Sequence, residues 1–530
     1  MITFIGSKKG YVHLLPGATI DSFLESESGR KADLPFTIQL DSFRIAYYPG
    51  TEAPADYISY ITYSLPGQKN VLLHEQISMN RIFTSQGFRF YQSSFDDDGK
   101  GSWLTVNYDP WGTGVTYAGY ILLGLSMIWL LFSRSSDFRR LLNHPLLKKG
   151  GVFILFIFCL AGNMQAQKKL LPALKQTQAD SLAQEQVIYH DRVVPFNTLA
   201  RDFIQKLTGE ASYKGLTPEQ VIGGWLLYPE VWRNEPLIYI KNTELQHLLN
   251  LQTPYARLTD LFDGSVYRLR EHWQREQGQQ NKLAKAIQET DEKVGLILML
   301  EKGTFIHPLP TDGSVQPLSE LEVKAELLYN RIPFSKILFM INLSLGVLSF
   351  LLLLHNSLQR NILSPKAKTI SRTAGTFFSV ALYLAFIFHL AGYCLRWYIG
   401  GRIPLSNGYE TMQFMALCIL LIACLLHRRF SFILPFGFLL SGFALLVSYL
   451  GQMNPQITPL MPVLVSPWLS IHVSLIMMSY ALLAFIMLNG ILALCLRKKE
   501  SENNVSGNDA VQDNRIEQLT LVSRLLLYPA

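Results

Sequence analysis

Seven long apolar runs constrain this chain more than any other feature of its sequence. A membrane-spanning helix needs about 20 predominantly apolar residues, so the runs predict a polytopic α-helical membrane protein with about seven spans. The second run is short and contains Asn163 and Gln165. The runs lie at about 116–132, 152–166, 337–356, 373–397, 409–426, 430–451 and 469–496.

Basic residues cluster in the segments that separate alternate runs. All of these segments fall on one side of the membrane if the runs alternate, and the positive-inside rule makes that side cytoplasmic. Segment 452–468, on the other side, contains no Lys or Arg. The net charge of +7 therefore indicates membrane orientation rather than nucleic-acid binding. The basic residues are Arg134, Arg139, Arg140, Lys148, Lys149, Arg360, Lys366, Lys368, Arg372, Arg428, Arg429, Arg497, Lys498 and Lys499.

Two large hydrophilic regions then lie outside the cytoplasm. Residues 1–112 contain alternating apolar and polar positions at 36–40 and 87–92, followed by a turn at 97–101, which predicts an extracytoplasmic β-rich domain. Residues 167–335 show helical spacing of apolar residues at 199–207 and 273–287, which predicts a mostly helical extracytoplasmic domain.

The other boundaries follow from the apolar runs. We predict two transmembrane helices with a basic cytoplasmic loop at 113–166 and a five-helix membrane domain at 336–498. Residues 499–530 are predicted to be a cytoplasmic linker and the start of a further apolar element. A region of this size before the first span must be exported, yet the first residues lack a signal-peptide apolar core. Either the orientation is inverted or further spans precede these residues, and the agreement of the basic segments favours the second. At the other end, residues 519–528 resemble the start of another apolar element, so the sequence predicts a chain that is incomplete at both ends.

His472 is the histidine whose context most favours a binding role. It begins the seventh run on the extracytoplasmic side, and Trp468 precedes it by one helical turn, so the two share a helix face. An aromatic plane beside an imidazole suits a flat, metal-bearing ligand such as haem. The alternative is an interfacial tryptophan beside a hydrogen-bonded histidine. For His389, inside the fourth run, a hydrogen bond to a neighbouring helix and ligation are both left open.

A second polar segment enters the fifth run. Arg396 and Arg402 supply two cations, and Tyr409 and Glu410 supply an aromatic ring and an acid. The arginines are suited to pairing with carboxylates, including haem propionates. The alternative is interfacial anchoring combined with an Arg–Glu pair within the protein.

These two segments together carry a family resemblance. Arg396-Trp397 with Pro404–Glu410, and then Trp468–Val473 with Ser479-Tyr480, resemble the CcsA/ResC cytochrome c biogenesis family. Upstream, segments 77–80 and 87–95 resemble the partner family CcsB/ResB. A single chain with both parts resembles the fused CcsB/ResB–CcsA/ResC type of cytochrome c synthase of system II, over roughly 60–132 and 337–500.

The resemblance implies transmembrane handling of haem and its presentation for covalent attachment to the CxxCH thiols of apocytochrome c. It implies b-type haem as the group carried and His472 as an axial ligand of its iron. Trp468, Arg396, Arg402 and Tyr409 are the further haem-binding residues. The implied location is the bacterial inner membrane, with the large domains periplasmic. The implied partners are apocytochrome c, haem, membrane lipid and a thiol-reducing thioredoxin-like protein, with no nucleic acid.

The chain departs from this family in features that bear on activity. The tryptophan-rich WWD segment, which the family uses to display haem, is absent from these residues. The family's second outer histidine and its intramembrane histidine pair are not found in these residues either. We therefore expect part of a cytochrome c synthase and assign no catalytic residue. Two other classes stay open from the sequence: a polytopic membrane transporter, and a noncatalytic membrane scaffold with partner-binding outer domains.

Overall fold

The computed structural model describes most of the chain, with gaps between its described segments. The chain divides into two compact units. The first contains a β-sheet and the long apolar helices, and the second contains the segment that precedes Pro333, of which residues 171–332 are described apart from short gaps. The described residues are 7–26, 28–47, 54–65, 68–133, 136–142, 171–264, 266–270, 272, 281–310, 315–358, 365–430, 432–450, 453, 455–460, 466–502 and 509–530.

The N-terminal region forms an eight-stranded antiparallel sheet in the order β5-β4-β3-β2-β1-β8-β7-β6, which confirms the β-rich region predicted from alternation. In β3, the residues at every second position from Ala32 to Leu40 are buried, because successive side chains of a strand point to opposite faces. The strands are β1 (Lys8–Leu14), β2 (Thr19–Glu25), β3 (Lys31–Tyr47), β4 (Pro54–Leu65), β5 (Gln68–Ser78), β6 (Phe83–Ser85), β7 (Phe88–Phe95) and β8 (Ser102–Tyr108).

The sheet curves so that distant strands share one core. Phe36 of β3 contacts Phe83 of β6 and Phe90 of β7 with ring centroids 6.3 and 6.1 Å apart. A polar bond crosses the same interior, because Ser59 Oγ of β4 donates to Gln92 Oε1 of β7 at 2.7 Å. Such a buried amide is tolerated because it has partners inside the sheet.

The second unit consists mainly of helices, with one short three-stranded sheet and two two-stranded ladders, which agrees with the helical spacing in its sequence. Its elements are α3 (Gln176–Leu182), β9 (Gln186–Tyr189), β10 (Arg192–Pro195), α4 (Phe196–Thr208), α5 (Pro218–Leu227), α6 (Pro229–Trp232), β11 (Ile238–Tyr239), α7 (Thr243–Leu248), β12 (Tyr255–Ala256), β13 (Phe262–Asp263), β14 (Val266–Tyr267), α8 (Lys282–Glu301), β15 (His307–Pro308) and α9 (Glu320–Arg331). They follow α1 (Pro110–Phe132) and α2 (Asp137–Leu142) in the chain.

Helix α4 shows why this unit folds as it does. Its buried residues recur at helical spacing and make one apolar stripe, and Gly209 ends the helix in the left-handed conformation at φ 81°. The predicted helix at 199–207 lies inside α4. Of the predicted helical segment 273–287, residues 273–280 lie outside the described residues, and α8 begins at Lys282.

Long apolar helices make up most of the C-terminal part of the chain. Six helices in the described residues are long and apolar enough to cross a membrane, one before the second unit and five after it. They are Trp111–Leu130, Phe334–His355, Arg372–Gly400, Gly408–Leu426, Ile433–Leu450 and Trp468–Leu494. This confirms a polytopic helical membrane protein. The predicted run at 152–166 lies outside the described residues. The helices are α10 (Phe334–Leu358), α11 (Pro365–Gly400), α12 (Gly408–Leu426), α13 (Ile433–Leu450), α14 (Pro467–Glu502) and α15 (Asp509–Leu527).

Small residues allow these helices to approach closely. A Cβ atom at Gly346 of α10 would lie 2.9 Å from the Leu439 side chain of α13, and one at Gly437 of α13 would lie 2.3 Å from Ala423 Cβ of α12. Helix association in a bilayer depends on such close packing, since lipid is as apolar as the side chains. Helix α13 is thereby held between α10 and α12, next to the polar residues described below.

Candidate functional site

Three polar side chains that the sequence analysis had noted form one largely buried cluster at the turn that joins α11 to α12. Arg396 lies in the last turns of α11, Arg402 in the turn that follows, and Glu410 in the first turn of α12. Gly401 adopts a φ of 62°, which glycine accepts at little cost. The Asn407 side chain then accepts a hydrogen bond from Glu410 N at 2.9 Å and begins α12. We call Arg396, Arg402 and Glu410 the arginine clamp.

Both carboxylate oxygens of Glu410 are bonded within the clamp. Oε1 accepts from Arg396 Nε at 3.0 Å and from Arg396 Nη2 at 2.9 Å. Oε2 accepts from Arg402 Nη1 at 3.0 Å and from Ser406 N and Oγ at 2.8 and 2.7 Å. Arg396 is 2% exposed and Glu410 is 1% exposed. Burying an ion pair is costly unless further hydrogen bonds satisfy the charges, and Glu410 meets that condition.

The arginines of the clamp also bind the backbone between α13 and α14. Arg396 Nη1 donates to the Pro455 carbonyl at 2.7 Å, and Arg396 Nη2 donates to the Gln456 carbonyl at 3.0 Å. Arg402 Nη2 donates to the Thr458 carbonyl at 2.9 Å. The clamp therefore ties two loops at the same end of the bundle.

A chain of polar groups continues from the clamp into the bundle. Tyr409, whose ring lies 5.1 Å from the Arg396 guanidinium, has its Oη 2.7 Å from Ser335 Oγ of α10. Gln413 Nε2 donates to Ser335 Oγ at 2.8 Å and to Ser448 Oγ of α13 at 3.3 Å. Polar side chains inside a span need such partners, because lipid offers none.

His389 belongs to the same region. Its Nε2 donates to the Gln413 carbonyl of α12 at 2.9 Å, and the side chain is buried. Of the two roles left open from the sequence, the structure contains the hydrogen bond to a neighbouring helix. The imidazole links α11 to α12 just below the clamp.

His472 and Trp468 occupy the first turns of α14. Trp468 is 79% exposed and His472 is exposed. The helix places them one turn apart, as their spacing predicted. The exposed indole and the exposed imidazole thus present an aromatic face and a ring nitrogen at the start of α14.

The predicted site thus divides into two parts. Arg396, Arg402 and Tyr409 meet around Glu410, and the Arg–Glu pair that was one of two sequence interpretations is present. His472 and Trp468 form the other part, on α14. The structure adds Ser335 and Gln413, which the sequence analysis had not selected. Gln413 could have been noticed, because it is an amide within the apolar run 409–426.

No group of three or more His, Cys, Asp and Glu side chains in the described segments is placed to hold a bare metal ion.

Two protein families match separate parts of the sequence. Residues 1–192 match the ResB-like family, and residues 405–526 match the Cytochrome C assembly protein family. The second match includes Tyr409, Glu410, Trp468 and His472. The two matches leave the segment from 193 to 404 between them, which holds most of the second unit.

The chain is also similar to individual proteins. The chain is 31% identical to Protein NrfI of Wolinella succinogenes in a match that covers 84% of this chain and 57% of NrfI. It is 34% identical to the cytochrome c biogenesis protein CcsA of Chlamydomonas reinhardtii over 24% of this chain and 37% of that protein. It is 38% identical to CcsA of Prochlorococcus marinus over 17% of this chain and 30% of that protein. The chain thus spans just over half the length of NrfI.

Proposed function

We propose that this chain belongs to the cytochrome c assembly proteins that join a ResB-like region to a CcsA-type membrane region, and that it handles haem during cytochrome c maturation. Haem is its substrate, and the product is haem presented for covalent attachment to the CxxCH thiols of apocytochrome c. The observation that carries the proposal is the order of the two matched regions in one polypeptide, with His472 exposed inside the second.

We propose His472 as an axial ligand of the haem iron. A neutral imidazole binds iron through one ring nitrogen, and it can be replaced later by another imidazole, such as that of the CxxCH histidine. Trp468 lies one turn earlier on the same exposed part of α14 and offers an aromatic face to the porphyrin. The b-type identity of the haem is part of this proposal.

A haem-binding role for Arg396, Arg402 and Tyr409 stays a prediction. Haem propionates are suitable acceptors for guanidinium donors. In this structure the donors of Arg396 are engaged with Glu410 and the loop carbonyls. Direct haem contact by Arg396 therefore requires a propionate to replace one of these acceptors.

We propose the bacterial inner membrane as the location and the periplasm as the side that the clamp and His472 face. The basic residues Arg428 and Arg429 lie at the opposite end of α12 from Glu410, and the positive-inside rule favours the cytoplasm for such residues. Apocytochrome c then meets the chain on the clamp side. A thioredoxin-like protein that keeps the CxxCH thiols reduced is a further proposed partner, and membrane lipid surrounds the helices.

The transporter and scaffold alternatives are not favoured. The described spans have few acids, and the acid at the clamp, Glu410, is neutralised by two arginines rather than left for a coupling ion. A scaffold without haem chemistry predicts that His472 can be replaced without effect.

The decisive experiment substitutes His472→Ala in the complete gene product. We expect loss or a clear change of the b-type haem spectrum of the purified protein and loss of cytochrome c maturation in cells. The matched control is His355→Ala, at an exposed position near the other end of the bundle, for which maturation should continue. Normal haem content and normal maturation in His472→Ala would contradict the ligand role.

A further inference from the structure

Part of the loop between α13 and α14, residues 455–460, is hydrogen-bonded by side chains from another segment. It contains Pro455 and Pro459, which have no backbone N–H. Residues 455–460 adopt no regular secondary structure. Carbonyl groups in such a segment need donors from elsewhere if they are shielded from water.

The arginine clamp supplies those donors. The carbonyls of Pro455, Gln456 and Thr458 accept hydrogen bonds of 2.7, 3.0 and 2.9 Å from the two guanidinium groups. Glu410 holds both guanidiniums in place from the other side. Each arginine thus bridges a fixed carboxylate and the loop.

Close packing accompanies these bonds. A Cβ atom at Gly400 would lie 3.3 Å from Ile457 Cγ2, and one at Gly408 would lie 3.2 Å from Met453 Sδ. The loop therefore rests directly on the turn between α11 and α12. Glycines at 400 and 408 leave the space that it occupies.

We infer that Arg396 and Arg402 are positioning residues, which hold residues 455–458 and through them influence His472 at the start of α14. This inference rests on the proposed function for its consequence, since the positioned group is the proposed haem ligand. In this role each arginine acts on His472 through the loop. Thr458 lies nine residues before Pro467, where α14 begins, so the held segment is close in sequence to the proposed ligand.

Guanidinium geometry explains why arginine stands at both positions. Arg396 donates from Nε and Nη2 to one acceptor and from Nη1 and Nη2 to others. A lysine ammonium is a point charge on a flexible stem and cannot bridge acceptors in this fixed arrangement. Arg396→Lys and Arg402→Lys therefore keep the charge and remove the bridge.

The first test measures the loop directly, without haem. Thr458→Cys is introduced, and its labelling by a water-soluble maleimide is followed in the full chain in membranes, with the rate for the chain without this cysteine subtracted. We expect labelling to become about tenfold faster when Arg396→Lys is added. The reason is that the charge-assisted hydrogen bonds from Arg396 to the Pro455 and Gln456 carbonyls, which hold the loop against the helix bundle, are lost. If the Arg396→Lys chain does not accumulate in the membrane, the same labelling is measured with Arg402→Lys, which removes one hydrogen bond to the loop.

The matched control is Arg233→Lys in the second unit, which also breaks a two-pronged arginine–glutamate pair. It should leave Thr458→Cys labelling unchanged. Unchanged labelling in both clamp variants would overturn the inference, as would equal acceleration in the control.

The second test measures the consequence for haem. In the complete protein with His472 intact, we expect Arg396→Lys to shift the Soret maximum or lower haem occupancy, and reintroduction of arginine at position 396 to restore both. Faster labelling with an unaltered haem spectrum would overturn the link to His472. Faster labelling together with a harmless His472→Ala would instead contradict the proposed function while leaving the loop-holding role supported.

Discussion

Arg396 Nη2 lies 2.9 Å from Glu410 Oε1, and both side chains are almost fully buried at the end of the helix bundle. The pair joins α11 to α12 across the turn that contains Gly401. A second cation, Arg402, shares the same carboxylate at 3.0 Å. Glu410 is therefore the acceptor on which the position of both guanidiniums depends.

Glu410→Gln should destabilise the bundle strongly. The substitution leaves the buried Arg396 guanidinium and the largely buried Arg402 guanidinium without a counter-charge. Breaking a buried pair from one side typically costs about 3–5 kcal/mol. We expect a large loss of folded protein in detergent, measured by size-exclusion yield and thermal aggregation. The control is Glu230→Gln, whose partner bond to Arg233 is on the surface with Glu230 83% exposed. Equal yields for the two variants would contradict the role assigned to Glu410.

The β-sheet region should lose stability in acid through Asp96. Hydrogen bonds from His13 and Trp103, at 2.8 and 2.9 Å, hold the pKa of Asp96 below its ordinary value of 3.8. A carboxylate with a lowered pKa stabilises the fold above its ordinary pKa, and this contribution is lost as the pH falls through the lowered value.

The measurement is the thermal unfolding midpoint of the sheet region followed from about pH 6 to about pH 3. Asp96→Asn should reduce the fall of the midpoint on acidification and lower the midpoint at neutral pH. A control is Asp98→Asn in the adjacent turn, which should retain the full pH dependence. An identical pH profile for Asp96→Asn and the unsubstituted chain would show that the cluster does not contribute.

Gly437→Ala should disrupt packing between α12 and α13. A methyl group there would lie 2.3 Å from Ala423 Cβ, and neither side chain can rotate away. Overpacking of this kind costs about 1–3 kcal/mol. The matched control is Gly490→Ala in α14, where nothing lies within 4 Å of the added atom. We expect a lower thermal midpoint for Gly437→Ala alone, and equal midpoints would exclude a close contact at this position.

Arg233→Lys should weaken the second unit. Arg233 Nε and Nη2 donate to the two oxygens of Glu301, each at 2.9 Å, and Trp225 Nε1 donates to Oε1 at 3.1 Å. Lysine cannot form the two-pronged bond, so we expect a loss of about 1 kcal/mol, reduced because Arg233 is partly exposed.

The readout is denaturant unfolding of this unit in the full chain. The control is Lys324→Arg at the exposed pair with Glu320, which should change the unfolding midpoint little. The Glu301 pKa is lowered by the Arg233 hydrogen bonds against the opposing effect of burial. The stabilisation from this pair should accordingly disappear as the pH falls below the ordinary glutamate value.

Local patterns in the sequence determined the helices, strands and membrane spans. The apolar runs at 337–356 and 409–426 coincide with α10 and α12, because a helix that crosses a bilayer must be apolar along its whole length. Alternation at 36–40 predicted β3, and the helical spacing at 199–207 predicted α4, because burial of one face imposes these periods.

Only the tertiary structure decided which groups the polar side chains meet. Arg396 was equally suited by sequence to haem carboxylates and to Glu410, and its acceptors include a carbonyl 59 positions away, at Pro455. Likewise, His389 gave no sign of its partner on α12. Periodicity reports which face of an element is buried. The partner of a buried charge depends on how the helices pack, and the clamp, with its hold on the loop before His472, is a product of that packing.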